Sequence, residues 1–438
     1  MRRILIVGLL LVSSVVSYAL HVMCEGNATI IDNNGDTLLI FESNPELKFV
    51  GLEGEVRVFY ATDTSKLAYS TNVENNNSFP MPEHGEGYAI KVDSVWEYFW
   101  IFDYVQLRTQ VDTITAELSC ENTELILEGT IPQIQYYDAN NQLTTYARMC
   151  QVVYQDKQWD DERDEWIDST AVAEAKLASS IVVGASPIPT DIIVVDQLAT
   201  MLELNEDTLQ LFVDDPVAIK AHPQAVVTAR PNERSNEVER PVDTETTIRR
   251  SAPLEIEFRA NALNAEYYTW ELFKGTEPLL TRNEAQHKYT FEEPGVYSAN
   301  LTVKNSHGCE YISESFEISV SESMLLVPNV FTPDGNGMND EFRVVYRSIK
   351  EFNCKVYNRW GHLVYEWSDP AKGWDGTVNG RPVAEGAYYY VIRALGTDAE
   401  KGAKYIGKPK YTKLQKKQEL PLGVYQLSGD INLLRGGE

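Results

Sequence analysis

The chain has 438 residues, 43% of them hydrophobic, so it can build roughly three domains with packed cores. Its formal net charge is −27, from 65 Asp and Glu against 38 Lys and Arg. Because so acidic a surface repels phosphate groups, it argues against nucleic acid and anionic membrane surfaces as partners.

The N-terminus is typical of an export signal. Arg2 and Arg3 precede an apolar run at positions 4–16, which is too short to span a bilayer comfortably. Ser17 and Ala19 then place small residues where a signal peptidase reads the chain. Residues 1–19 are therefore predicted to be a cleaved signal peptide, with a membrane anchor as the alternative.

The apolar pattern predicts an all-β protein. Apolar residues alternate with polar ones or form short runs bounded by Gly, Pro, Asn and Asp, which is the pattern of strands and hairpins. Asp196 to Leu204 is the best candidate for a helix, and it is short. We expect tandem immunoglobulin-like β-sandwich domains.

Residues 20–110 are predicted to form the first β-sandwich. Its second long strand segment carries aromatic residues at every other position: Trp96, Tyr98, Trp100, Phe102 and Tyr104. Such a row can stack against sugars, or it can form the inner face of a sandwich. We favour packing in the core.

Residues 111–215 are predicted to form a second β-sandwich, in which Cys120 and Cys150 are the expected disulfide pair. The five cysteines of the chain are too scattered for a zinc site, and their odd number leaves at least one without an intramolecular partner. Trp159 and Trp166 flank a hairpin turn that is rich in acids. That turn could hold calcium, but we favour a solvated hairpin tip.

Residues 222–321 are predicted to form a third sandwich. Its insert at 230–250 is too hydrophilic to pack and is expected to be a mobile loop. The segments "PLEIEF", "YYTWELF" and "EPGVYSANLTVKNSHGC" resemble a PKD-like domain, which has an immunoglobulin-like fold. The resemblance implies a spacer or an adhesive module, although the usual Gly-Asp after the tryptophan strand is replaced here by residues 273–275.

Residues 323–438 contain hairpin after hairpin, with turn residues at 358–361, 373–376 and 379–380. The segments "PNVFTPDGNGMNDEF", "YNRWGHLVYE", "GWDGTVNGRPVAEGAYYYVI" and "GDINLLR" closely resemble the gliding-motility-associated C-terminal domain. That family is the type B sorting domain of cargo for the type IX secretion system of Bacteroidota. The matching sorting residues are Pro328, Asn329, Phe331, Pro333, Gly335, Gly337, Asn339, Asp340, Phe342, Asn358, Arg359, Trp360, Gly361, Gly373, Trp374, Asp375, Gly376, Gly386 and Tyr388.

The resemblance implies two partners, the type IX translocon and an outer-membrane docking protein. This chain departs from the family by an insertion at 397–426, in which seven lysines and no acid lie between Lys401 and Lys417. The insertion could contact an acidic partner or an anionic polysaccharide. We favour a flexible, solvated loop.

The loop "PDGNGMND" offers hard oxygen ligands from Asp334, Asn336, Asn339 and Asp340. Its spacing does not fit an EF-hand, so we interpret it as a turn whose side chains cap backbone N–H groups. Calcium is the alternative, and no other cofactor is predicted. The two acids could also imitate a glycosidase pair, but no partner motif accompanies them.

These patterns together predict a secreted, non-enzymatic surface protein whose upstream sandwiches adhere to a host or cell-surface protein or a glycan. One alternative is an accessory component of the outer-membrane secretion machinery. Another is a hydrolase hidden in residues 20–215, although that region has no G-x-S-x-G or H-E-x-x-H motif.

Overall fold

A computed structural model gives the fold for most of the chain. It describes residues 22–25, 27–42, 46–49, 54–60, 63–73, 84–92, 95–204, 208–230, 236–241, 248–404 and 420–435. The expected signal peptide and the centre of the Lys-rich insertion lie outside these residues. The chain divides into two compact units, Met1–Ala218 and Ile219–Glu438.

The prediction of an all-β protein is confirmed. The two helices of the described residues are α1 (Tyr104–Leu107) and α2 (Gln197–Met201), and neither is long or apolar enough to cross a membrane. The second helix lies where the sequence predicted one. Asp196 begins it, because its side chain accepts a hydrogen bond from the Leu198 N–H.

In the first unit, the part of the chain that the structure describes contains seventeen strands. They are β1 Val22–Glu25, β2 Ala28–Asn33, β3 Asp36–Phe41, β4 Glu46–Phe49, β5 Gly54–Tyr60, β6 Asp63–Val73, β7 Gly87–Val92, β8 Val95–Asp103, β9 Gln110–Leu118, β10 Asn122–Thr130, β11 Ile134–Tyr137, β12 Leu143–Tyr146, β13 Met149–Asp160, β14 Glu165–Lys176, β15 Ser180–Gly184, β16 Thr190–Asp196 and β17 Thr208–Val213. The sheets follow the orders β2-β3-β8-β7-β5-β6, β15-β10-β9 and β14-β13-β16-β17, with the pairs β1-β4 and β11-β12 beside them.

Strand β8 is central in the six-stranded sheet, parallel to β3 and antiparallel to β7. Both of its faces are buried, with Trp100 and Phe102 on one side and Phe99 and Ile101 on the other. Tyr104 is also buried, at the start of α1. The predicted aromatic row is therefore core at these positions, and the sugar-stacking alternative is wrong for Trp100, Phe102 and Tyr104.

A buried ion pair joins segments of the first unit that are far apart in sequence. Arg148, which has no exposed side-chain surface, pairs with Asp196, and its Nη1 donates to the carbonyls of Leu107 and Pro132, each at 2.8 Å. The Tyr104 hydroxyl donates to the same carboxylate at 3.3 Å. A buried charge without partners is costly, so Arg148 and Asp196 must stay together. Their contacts thereby hold the end of α1 close to the start of α2.

The predicted disulfide between Cys120 and Cys150 is wrong. Cys120 is disulfide-bonded, but Cys150 is a free, buried thiol that donates to the carbonyl of Ala175 at 3.5 Å. Burial raises the pKa of Cys150 to about 11, so it stays protonated at neutral pH. Cys120 lies in the turn between β9 and β10, whereas Cys150 faces the core from β13. Proximity in sequence does not reveal this separation.

Twenty strands lie in the described residues of the second unit. They are β18 Lys220–Ala221, β19 Gln224–Val227, β20 Ile248–Ser251, β21 Leu254–Arg259, β22 Ala262–Leu263, β23 Tyr267–Lys274, β24 Glu277–Arg282, β25 Gln286–Phe291, β26 Gly295–Lys304, β27 Glu310–Ile312, β28 Phe316–Ser321, β29 Met324–Leu326, β30 Val330–Phe331, β31 Val345–Arg347, β32 Ile349–Tyr357, β33 Leu363–Trp367, β34 Thr377–Val378, β35 Arg381–Pro382, β36 Gly386–Gly396 and β37 Val424–Leu433.

Two sheets of this unit, β19-β21-β25 and β20-β28-β26-β23-β24, enclose one hydrophobic core around Trp270. The next sheet along the chain, β30-β37-β36-β32-β33, supports the C-terminal region, and the short pair β29-β31 lies beside it. Two sheets around one core are the arrangement expected of a β-sandwich, while the bounds 222–321 and the PKD-like character stay predictions.

The expectation that the insert at 230–250 does not pack is wrong for residues 236–241. Asn236 is only 8% exposed, and its neighbour Glu237 forms a parallel bridge with Tyr346. A hydrophilic segment can pack when its polar groups find hydrogen-bond partners, which composition alone does not show.

Candidate functional site

The C-terminal sheet is built on a long antiparallel hairpin. Strands β36 and β37 pair without interruption from Gly386 with Leu433 to Leu395 with Val424. Strands β32 and β33 extend the sheet on one side, and β30 joins β37 in parallel on the other. The segments at 332–344 and 368–385 run between these strands and carry most of the predicted sorting residues.

Four aromatic sorting residues form the core under those segments. Phe331 lies 5.5 Å from Trp374, and Trp374 lies 5.0 Å from Tyr388, measured between ring centroids. The backbones of Phe342 and Trp374 exchange both hydrogen bonds, at 2.8 and 3.1 Å. These side chains therefore hold the domain together and are not available to an external partner.

A close backbone approach explains the glycine at position 373. A Cβ atom there would lie 2.8 Å from the carbonyl oxygen of Phe342, which is shorter than real Cβ contacts. Any other residue would push apart the bridge between Phe342 and Trp374. Gly373 thus permits a close contact between two backbones, which a residue with a Cβ atom could not make without strain.

The loop at 334–340 is organised by Asp340. One carboxylate oxygen accepts the Gly335 N–H and the other accepts the Gly337 N–H, each at 2.7 Å. These bonds, first that from Gly335, hold the pKa of Asp340 below its usual range. Asp334 and Asn336 accept the N–H groups of Asn336 and Met338, at 3.1 and 2.7 Å. The loop is therefore the side-chain-capped turn that its composition predicted.

Calcium at this loop stays a prediction. Among the residues that the structure describes, no group of three or more His, Cys, Asp or Glu is placed to hold a metal ion. The carboxylate of Asp340 faces amide hydrogens, which are donors and not ligands. Asn339 takes a positive φ of 54° and supplies its carbonyl to the Thr332 N–H at 2.8 Å.

The turn at 358–361 presents an aromatic side chain to solvent. The Asn358 Oδ1 accepts the N–H groups of Trp360 at 3.1 Å and His362 at 3.0 Å, which closes the turn. Trp360 is 67% exposed, and the guanidinium carbon of Arg359 lies 4.2 Å from the centre of its ring. This cation–π pair is an accessible group of mixed apolar and basic character.

The nineteen predicted sorting residues therefore fall into three groups by exposure. The buried ones are Phe331, Phe342, Trp374, Gly376 and Tyr388. The half-buried ones are Pro328, Pro333, Asp340, Asn358, Gly373 and Gly386. The exposed ones are Asn329, Gly335, Gly337, Asn339, Arg359, Trp360, Gly361 and Asp375. Of these, the large side chains open to a partner are those of Arg359 and Trp360.

Sequence reasoning missed the role of Arg435. Its guanidinium donates to the carbonyls of Val383 and Gly376, and its backbone N–H donates to the Glu385 carboxylate at 2.9 Å. Arg435 thus fastens the end of β37 to the segment that carries the buried Trp374. Arg435 ends the segment "GDINLLR", which carries part of the family resemblance, but the sequence does not show which groups its side chain contacts.

Two segments of the chain match known families. Residues 325–407 match the CHU_C type IX secretion signal domain, and residues 113–210 match a fibronectin type III domain. The resemblance of the C-terminal region to a sorting domain is thereby confirmed. No curated protein matches the chain.

Solved structures in the comparison include the chicken CNTN1 FN1-FN3 domains and dimeric latent PorU from Porphyromonas gingivalis. The first is 10% identical, covers 66% of this chain and 93% of its own, and has a TM-score of 0.22. The second is 10% identical, covers 79% of this chain and 36% of its own, and has a TM-score of 0.15. At these TM-scores neither bears on function. The chain carries a type IX secretion signal domain at residues 325–407 and a fibronectin type III domain at residues 113–210.

Proposed function

We propose that this protein is non-enzymatic cargo of the type IX secretion system, displayed outside the cell by its C-terminal domain. The observation that carries the proposal is the signal-domain match at 325–407, together with the intact aromatic core beneath its motifs. The proposed partners are the translocon and an outer-membrane docking protein.

The distribution of charge supports a division of roles along the chain. Residues 323–438 carry 16 Lys and Arg against 13 Asp and Glu, whereas residues 1–322 carry 22 against 52. The acidity of the protein thus belongs to the part that would be delivered. A strongly acidic surface keeps such a part soluble and limits non-specific contact with other anionic surfaces.

We propose that the exporter reads the turn at 358–361. Two further apolar side chains lie on the strands nearest to it, since Tyr357 pairs with both Leu363 and Tyr389. Leu363 is 51% exposed and Tyr389 is 48% exposed. An exposed apolar patch with an adjoining arginine is the composition that protein interfaces favour.

We further propose four domains, at 20–110, 111–215, 222–321 and 323–438, of which the first three present a binding surface. In the fibronectin type III segment, Val153 lies between Val172 and Ile193 on neighbouring strands. Val172 on β14 is 59% exposed, and Phe212 on β17, at the opposite edge of the same sheet and just beyond the matched segment, is 58% exposed. This apolar sheet face supports adhesion to a protein or a glycan.

Protease treatment of intact cells tests the proposal. The full chain and a variant that ends at residue 322 are produced in a bacterium with a type IX system. The full chain should be digested from outside, while the truncated chain should be protected until the cells are lysed. Protection of both would favour an accessory role inside the envelope, and turnover of a glycan by the purified protein would favour a hydrolase.

A further inference from the structure

Residues 236–241 lie against the signal domain, where Glu237 forms a parallel bridge with Tyr346. The Tyr346 N–H donates to the Asn236 carbonyl, and the Val238 N–H donates to the Tyr346 carbonyl, both at 3.0 Å. On its other side, β31 pairs antiparallel with β29, from Met324 with Arg347 to Leu326 with Val345. The segment therefore covers the second edge of β31 at Tyr346 through one parallel bridge, at the position that a further strand of the sheet would take.

The side chain of Asn236 completes this contact. Its Nδ2 donates to the carbonyls of Val344, at 2.9 Å, and Pro370, at 2.8 Å. Both amide hydrogens are thus used, on residues 108 and 134 positions further along the chain. Since Asn236 is only 8% exposed, its loss would leave two backbone carbonyls without a partner in a place that water reaches poorly.

The same segment is also fastened to the preceding sandwich. The Glu239 carboxylate accepts hydrogen bonds from Arg347 Nη1, at 2.5 Å, and from the Ser321 hydroxyl, while its carbonyl accepts the Ser251 N–H at 2.7 Å. Glu237, whose side chain is 4% exposed, pairs with Arg230 at 2.8 Å. The segment therefore binds β20 and β28 on one side and β31 on the other.

We infer that the export signal of this chain is bipartite: residues 236–241 are an edge strand of the signal domain, and the exporter receives residues 219–438 as one folded unit. An unpaired edge on β31 would leave the N–H and carbonyl of Tyr346 open to other chains. The family match begins only at 325, some 84 residues after this strand ends. The consequence for export rests on the proposed function, but the docking of the strand does not.

Hydrogen exchange on the purified full chain tests the docking. N236D keeps the shape of the side chain but replaces the donor with an acceptor that faces two carbonyls. We expect the amides of Val238 and Tyr346 to exchange at least about tenfold faster, because a buried polar group is left facing like partners. N283D places the same charge change on an exposed residue and should leave both rates unchanged. Unchanged rates in N236D would overturn the inference.

A pair of charge reversals distinguishes loss of docking from misfolding of a single variant. E239R and R347E should each speed exchange at Tyr346, and the double variant E239R/R347E should recover most of the protection. The matched control exchanges Lys355 and Glu366, a pair at 3.1 Å whose side chains are each 39% exposed, and should have little effect. Failure of the double variant to recover protection would contradict a direct role for this ion pair in docking.

Export of the same variants tests the consequence. N236D, E239R and R347E should reach the outside several-fold less than the full chain, and E239R/R347E should be rescued. Normal export of the three single variants, in cells where truncation at 322 abolishes export, would overturn the bipartite signal and leave the proposed function standing. If truncation at 322 has no effect, the proposed function fails, while the exchange rates still decide whether the strand docks.

Discussion

Single residues in this chain show why a motif is not the same as a site. Phe331, Phe342 and Trp374 belong to the pattern that marks the signal domain, yet all three are buried. Asp340 is polar and looks like a metal ligand, yet it binds two amides of its own loop. Most of the motif residues are therefore explained by folding of the domain. Arg359 and Trp360 are the large motif side chains that are exposed to solvent.

D340N should destabilise the signal domain at neutral pH. An amide offers one acceptor oxygen, so one of the N–H groups of Gly335 and Gly337 loses its partner. Thermal unfolding should show a lower Tm than for D430N, which removes an exposed carboxylate on β37. Because the folded pKa of Asp340 is lowered, its stabilisation is complete above the ordinary carboxyl pKa and is lost as the pH falls through the folded value. Equal Tm values for the two variants would contradict this role.

His287 should make the third sandwich sensitive to acid. Its ring stacks on Phe258 with centroids 5.2 Å apart, neither nitrogen has a hydrogen-bond partner, and burial lowers its pKa from the ordinary 6.5. Nearby Glu284 raises the pKa and Arg282 lowers it, both by less than burial does. The unfolded chain therefore takes up a proton more readily, so stability is full above about pH 6.5 and declines below it.

H287F should remove part of that decline. The Tm difference between pH 7.5 and pH 5 is the measurement, with H362Q, at an exposed turn, as the control. An identical pH dependence in H287F and in the unaltered chain would show that other groups cause the acid sensitivity.

At the scale of elements, strands could be predicted and their partners could not. Period-two patterns identified β5, β8 and β26, because successive side chains of a strand point to opposite faces. The assignment of the aromatic row to the core holds for Trp100, Phe102 and Tyr104, whereas Trp96 and Tyr98 are only half-buried. Position in a sheet depends on contacts distant in sequence, which is why the pairing of Cys120 with Cys150 and the packing of 236–241 were both misjudged.

The buried ion pair of Arg148 and Asp196 likewise could not be predicted from the sequence. R148M should destabilise the first unit by about 3–5 kcal/mol, because Asp196 keeps its buried charge and loses its partner. Urea unfolding followed by fluorescence measures the change. K288M, which breaks an exposed pair with Glu255, should cost less than about 1 kcal/mol. Similar losses in both variants would contradict the importance assigned to burial.

At the scale of the whole molecule, an acidic series of sandwiches precedes a nearly neutral signal domain. The motifs predicted this domain well because several segments recur in a fixed order. They did not show which of their residues face solvent, since exposure is a property of the folded domain. The ligand class proposed for the upstream modules was equally beyond prediction, because a binding sheet face has no characteristic spacing in sequence.

W360A should separate export from folding. The side chain is 67% exposed, so its removal should change the free energy of unfolding by less than about 0.5 kcal/mol. Secretion should nevertheless fall, because W360A removes the aromatic side chain that we propose the exporter contacts. L326A, on a residue of the same domain that is 56% exposed and distant in sequence from the turn, is the control. Normal secretion of W360A would place the recognised surface elsewhere.

The transfer of export to an unrelated protein tests the central claim most directly. Residues 219–438 are fused to a periplasmic reporter in a bacterium with a type IX system, and the reporter outside the cells is measured. We expect the fused reporter to appear outside, a fusion to 323–438 alone to do so less, and the bare reporter to stay within. Retention of the fused reporter inside cells that still secrete the full chain would contradict the account.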